Sequence, residues 1–140
     1  MTSSAAWGAC TLKLLTFDAT EDDIRSWARD PDGLCEQDWD IAFTGIGHEP
    51  LFIELAADEN CPKRAFFLQC LYLLVGDAVR TQGHTTPFDH LEELFAQAEP
   101  TAKPWLLAWV KQSRDLMANP QRFNYDLWCG GGLARRAFVD

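Results

Sequence analysis

The chain has 140 residues, 47% of them hydrophobic and 24% charged. That composition belongs to a folded globular chain, and that length to one domain, 1–140. Twelve Lys and Arg stand against twenty-one Asp and Glu, a net charge of −9, which phosphate backbones and anionic lipids repel; the expected partners therefore include neither nucleic acid nor a membrane surface. The imbalance sits in one half. Residues 1–60 carry 13 acids and 3 bases, whereas residues 61–140 carry 8 acids and 9 bases.

Residues 11–17 are short and only partly alternating, and read either as a short N-terminal strand or as an irregular lead-in. A helix follows to about Arg29. Thr20 is its N-cap, Asp23 sits three positions on, and Ile24, Trp27 and Ala28 share its apolar side. Pro31, Asp32 and Gly33 stop it. Cys35, Trp39, Ala42 and Phe43 have helical apolar spacing, which predicts a helix over 35–43. Residues 44–50 form a loop, and 51–57 a short apolar helix.

Pro62 opens the central element, a helix over 62–81 whose apolar residues cover almost its whole circumference. A helix apolar all round is buried, so this one is the middle of a bundle. Thr86 is expected to cap a helix from Pro87 to about Ala98. Pro104 opens another to about Ala118, which Asn119 and Pro120 end. Residues 121–128 read as a turn, 129–132 as a loop, and 133–139 as a last short helix. The fold class that follows is all-α: one compact bundle of about seven helices around the apolar helix 62–81.

The five cysteines are odd in number and contain no CxxC pair, so neither a disulfide framework nor a zinc site is expected. Free thiols fit a reducing, cytoplasmic setting. The N-terminus lacks the basic start and apolar segment of a signal peptide. The longest apolar stretch, 65–79, is interrupted by Gln69 and Gly76 and is shorter than the roughly 20 residues of a membrane span.

Four constellations bear on chemistry. His90 and Glu93 share a helix face at i, i+3, and with His84 and Asp89 could form a metal site; the plain alternative is a solvated helix start, and no metal or cofactor is expected. Cys129, followed by Gly130, Gly131 and Gly132, could be a nucleophile beside backbone N–H groups. It could equally mark a tight turn that folds the last helix back on the bundle. The acids Asp22, Asp23, Glu36, Asp38 and Asp40 match no calcium loop and read as a protein-binding or merely solvated face. Trp27 and Trp39 lie among them. Each is either a core anchor or an aromatic hot spot for a cationic partner.

Asp22-Asp23 with Trp27, Asp38-Trp39-Asp40 and the closing Tyr125-Asp-Leu-Trp-Cys-Gly-Gly-Gly132 make the chain resemble the small acidic immunity proteins of bacterial toxin–immunity pairs. The resemblance is one of type across the whole chain and assigns no individual residue. It implies a non-enzymatic inhibitor that covers the active site of a basic toxin. On that reading Asp22, Asp23, Trp27, Glu36, Asp38, Trp39 and Asp40 form the partner-binding set. A small cysteine-dependent enzyme using Cys129, and an adaptor or regulator with no toxin, are the alternatives.

Overall fold

The computed structural model of the chain describes residues 14–15, 20–30, 34–35 and 48–138. The protein is an all-α bundle, with seven α-helices among the described residues. The first, α1 (Glu21–Ala28), is started by a complete capping box. The Asp23 amide donates to Thr20 Oγ1 at 3.2 Å, and the Thr20 amide donates to Asp23 Oδ2 at 3.0 Å. Glu21, Asp22 and Asp23 also lie at the positive end of the helix dipole, where carboxylates are stabilised. Two short backbone segments flank α1, Leu14–Leu15 (β1) and Leu34–Cys35 (β2). They pair in parallel, with Leu14 opposite Leu34 and Leu15 opposite Cys35. The short N-terminal strand is thus present, and Cys35 belongs to its partner strand rather than opening a helix. The remainder of the expected 35–43 helix lies outside the described residues.

Helix α2 (Glu49–Ala57) has Pro50 in its first turn, where a missing N–H costs nothing, and buries Leu51, Phe52, Ile53, Leu55 and Ala56. Helix α3 (Arg64–Arg80) is the centre. Phe67, Leu68, Leu71, Val75 and Ala78 are fully buried, and Cys70, Tyr72, Leu73 and Leu74 nearly so. It packs against α2, against α5 (Pro104–Ala118) and against two short helices, α6 (Tyr125–Trp128) and α7 (Gly132–Arg136). Helix α4 (Phe88–Ala98) closes the bundle against α2 and α5, with Leu91, Leu94, Phe95 and Ala98 inward. Phe95 meets Trp109 edge-on at 5.1 Å, and Phe67 stacks on Phe52 at 5.7 Å.

Two sequence expectations are corrected. Thr86 does not cap α4: Pro87 occupies the N-cap, no side-chain cap bond is made, and Thr86 is itself buried. The stretch 121–128 is not only a turn. A 3-10 turn, Pro120–Arg122, is followed by α6, which Asn124 caps by accepting from the Leu127 amide. The reason α6 forms lies on α3. A Cβ added to Gly76 would stand 2.9 Å from Trp128 Cβ and 3.1 Å from Cys129 Sγ. Glycine in mid-helix costs about 1 kcal/mol against alanine, and here it lets α6 lie directly on α3.

Leu71 is fully buried at the middle of this arrangement. Replacing it with alanine should lower the unfolding free energy by about 2–5 kcal/mol through lost transfer energy and the cavity left behind. Urea unfolding followed by circular dichroism measures this, and a loss below about 1 kcal/mol would show that α3 is not the centre of the core.

Candidate functional site

Helix α1 presents two faces of opposite kind. Its inner face is Ile24, Trp27 and Ala28, all buried. Trp27 is only 2% exposed, with its ring edge-on to Phe66 at 5.1 Å and to Phe67 at 5.9 Å. Lys63 Nζ lies 4.4 Å from the ring centroid and donates to the Trp27 carbonyl at 2.9 Å. Trp27 is therefore a core anchor and not part of a partner-facing set. The i, i+3, i+4 spacing that makes α1 amphipathic turns its largest apolar side chain inward.

The outer face carries the charge. Glu21, Asp22 and Asp23 are exposed. Asp23 has structural work as well, holding the Thr20 amide. Arg25 of α1 and Arg29 at its C-cap are both paired within the protein. Arg25 grips Glu54 through both terminal nitrogens, and Arg29 pairs with Asp58 at 2.6 Å. The bond to Arg25 holds the Glu54 carboxyl below its usual pKa against the opposing pull of desolvation. Asp58 is held low first by the Asn60 amide, 2.9 Å away, and then by Arg29. Both cations thus have their closest carboxylate partners on α2 and the turn after it, although Arg25 also lies within the field of Glu21 and Asp22. The structure thus brings Asp22 and Asp23 together on one exposed helix end. Glu36, Asp38, Trp39 and Asp40 lie outside the described residues.

The carboxylate that sequence reading missed is Glu49. It opens α2 and is only 7% exposed. His90 Nε2 stands 3.4 Å from Glu49 Oε1, and His90 Nδ1 stands 3.2 Å from Glu93 Oε1. The i, i+3 pair read from the sequence is real. Its third member comes from 41 residues away, which no local spacing reveals. The imidazole ties the start of α4 to the start of α2. Of the other groups in the proposed metal set, His84 Nδ1 lies 2.7 Å from the Thr81 carbonyl, within its own turn. Among the described residues no group of three or more His, Cys, Asp or Glu is placed to hold a metal ion.

Cys129 is the C-cap of α6, 8% exposed, with Sγ 3.8 Å from Asp77 Oδ1. A carboxylate partner is the reverse of the cationic surroundings that activate nucleophilic thiols. The glycines after it pack closely. Cβ atoms on Gly130 and Gly132 would stand 2.9 and 3.0 Å from the Asp126 carbonyl oxygen. Gly131 has φ +86°, the left-handed region that glycine adopts without strain. Their local role is to turn the chain from α6 into α7.

No protein-family model, curated protein or solved structure matches the chain. Its function must therefore be argued from its own residues.

Among the described residues no helix is long and apolar enough to cross a membrane. Tyr72, buried on α3, bonds Gln112 of α5 through its hydroxyl, and burial pushes its pKa up to about 12. That proton stays in place at physiological pH, so the contact is a fixed tie between helices rather than an acid–base device.

The His90 contact, in contrast, titrates. Desolvation pulls the imidazole pKa down, but the bonds and fields of Glu93 and Glu49 outweigh it and the net shift is upward. A group whose folded pKa is raised stabilises the fold fully below its unfolded pKa, about 6.5, and loses that effect as pH rises through the folded value. The wild type should therefore gain stability over His90→Gln on going from pH 8 to pH 5.5, read as a shift in urea midpoint. An equal difference at both pH values would show that His90 and Glu49 are not electrostatically coupled.

Cys129 should alkylate slowly with iodoacetamide at neutral pH, at well under the rate of a free cysteine, when the modified site is mapped by mass spectrometry. Rapid labelling at this position in the folded protein would place the thiol in a reactive setting that the burial described above does not provide.

Proposed function

We propose that the protein is a binding domain that engages a basic protein through the acidic half of the chain, and that the partner is a toxin it neutralises. The observation that carries this reading is the disposition of charge on α1. Arg25 and Arg29 are turned onto Glu54 and Asp58, while Glu21, Asp22 and Asp23 face solvent at the helix start. Glu36, Asp38 and Asp40 belong to the same acidic half of the sequence. Such a face steers a cationic surface toward it and pairs with Lys and Arg around a basic cleft. Trp39 is the aromatic left to serve as a buried contact, since Trp27 is committed to the core.

Occlusion needs no chemistry of its own, only a surface that the partner's active site prefers to its substrate. A basic cleft that binds an anionic substrate is well matched by clustered carboxylates. Immunity function in a bacterial cytoplasm is the form of this reading that the type resemblance favours. A regulator of a basic protein that is not a toxin would use the same surface. The buried Cys129 beside Asp77 gives the cysteine-dependent alternative little to build on.

The partner is to be captured from the native host at low salt, released by salt and identified by mass spectrometry. Its toxicity in cells with and without this protein then separates an inhibitor from an adaptor. Surface plasmon resonance with that partner should show an association rate that falls steeply with salt, because steering acts over a Debye length of roughly 8–10 Å. The triple reversal Asp22→Lys, Asp38→Lys and Asp40→Lys should weaken binding by several kcal/mol. Trp39→Ala should instead speed dissociation with little salt dependence. If the triple reversal binds as tightly as the wild type with an unchanged circular dichroism spectrum, the acids only solubilise the chain.

A further inference from the structure

The arginines of the described residues divide into two groups. Arg25, Arg29, Arg80, Arg114 and Arg122 each pair with a carboxylate. Arg64, Arg135 and Arg136 pair with none among the described residues. Arg64 bears on Glu59 through its field alone, and the hydrogen-bonded partner of Glu59 is Lys103.

These three lie on one surface. The Arg64 guanidinium stands 4.7 Å from the Trp105 ring centroid and 4.5 Å from that of Phe138, and the two rings pack on each other at 5.6 Å. Stacking occupies the face of a guanidinium and leaves the donors on its edge free for an anion. Arg135 is exposed, lines a cleft with Phe138, and donates from Nη1 to the Gly130 carbonyl at 3.2 Å. Arg136 is exposed and lines a second cleft with Trp105, Ala108 and Gln112. Lys111, likewise exposed and without a carboxylate among the described residues, extends the surface along α5 beside Ala108 and Gln112. Asp115 lines the same hollow but is held by Arg122 at 3.2 Å. In a chain of net charge −9, the cations without an acid are thus gathered around one aromatic pair. Arginine among aromatic side chains is the composition of an interface core.

We propose that this surface of α5 and α7 docks the acidic half of a second copy of the chain. The complementary charge is the chain's own: residues 1–60 carry 13 acids against 3 bases. Carboxylates of one copy would pair with Arg135 and Arg136 of the other in charge-assisted bonds, and Trp105 with Phe138 would supply apolar area. The contact joins two different surfaces of the same chain and is therefore heterologous. Two chains of like net charge also repel. That repulsion is long-range and is largely screened beyond about 8 Å at physiological salt, whereas the pairs act at contact. The assembly should accordingly be weak and exchange rapidly. The proposal does not rest on the toxin reading, although a basic partner of the acidic half would compete with the second copy for it.

Salt screens attraction and repulsion together, so the test varies charge. Sedimentation equilibrium of the full-length wild type at high micromolar concentration should give an average mass above the 15.8 kDa of one chain. Arg135→Glu with Arg136→Glu should weaken association about ten-fold or more, because it sets like charges opposite one another. The triple variant Asp22→Lys, Asp38→Lys, Asp40→Lys should do the same. Arg135→Gln with Arg136→Gln, which removes the charges without reversing them, should give a smaller loss. Mixing the two reversed variants should restore association, since the native α7 of the triple variant meets the native acidic half of the other. Both remain net negative, so overall attraction cannot produce that result. With the triple variant ¹⁵N-labelled, adding the other should shift the backbone signals of Arg135 and Arg136. Circular dichroism checks that each variant is folded. A wild type that stays at the mass of one chain, a folded reversal variant that associates as the wild type does, or a mixture without shifts at Arg135 and Arg136 would each overturn the proposal. Failure to find a toxin would leave these outcomes unchanged.

Discussion

A helix whose apolar residues cover almost its whole circumference must be covered on nearly every side, and that constraint shapes the whole protein. Phe67, Leu71 and Val75 of α3, all fully buried, line up along the helix at intervals of four, but Leu68, Leu73, Leu74 and Ala78 fill the remaining directions. A single partner helix would cover one stripe and leave the others wet. Coverage therefore comes from several elements: α2 on one side, α5 on another, and the short α6–α7 pair on the rest. Four- and five-residue helices such as these have no independent stability in water. They persist because α3 gives them a surface to cover, and Gly76 gives α6 the close approach that four residues need to be held.

That dependence explains which elements were legible in the sequence. Helices that carry their own start signals were plain: Thr20 with Asp23 for α1, Pro104 for α5, and the run of apolar residues for α3. Each rests on local chemistry, a satisfied amide, a tolerated missing amide or a periodicity. What could not be read is what depends on tertiary contact. Helix α6 has the sequence of a turn and is helical because Trp128 packs on Tyr72 and beside Gly76. Thr86 has the sequence of a cap and is buried instead, with Pro87 already in the capping position. Cys35 continues a helical apolar spacing, yet it pairs in register with Leu15, a backbone contact across twenty residues that no side-chain pattern encodes.

The candidate site was legible in part for the same reason. Charge counts located the acidic half of the chain, because net charge does not depend on the fold. They could not show that Arg25 and Arg29 would be turned onto Glu54 and Asp58. Nor could they sort Trp27 from its setting. A tryptophan three residues after Ile24 and flanked by charge reads equally as a hot spot or an anchor, and only the packing of Phe66 and Phe67 against its ring decides. Exposed pairs such as Arg25–Glu54 add little to stability. Their consequence is where the cations sit, against α2 and the turn after it, while three carboxylates stay exposed at the helix start.

The three acids that open α1 are not equivalent probes of that field. Asp23 is both a charge and half of the capping box, so its loss would remove a bond to the Thr20 amide together with a carboxylate from the surface. Capping groups are worth about 0.5–2 kcal/mol, enough for a binding defect at Asp23 to be partly a folding defect. Glu21 Oε2 stands 4.0 Å from His48 Nδ1, so a change at Glu21 also alters a contact with the residue that precedes α2. Asp22, between them, is exposed and takes no part in the capping box. Its side chain is exposed, and changing it leaves both capping-box bonds in place while removing a carboxylate from the positive end of the helix dipole. The sequence places three like residues in a row, but the cap and the histidine give each a different physical meaning. Asp22 is the one whose charge can be changed without breaking a capping bond.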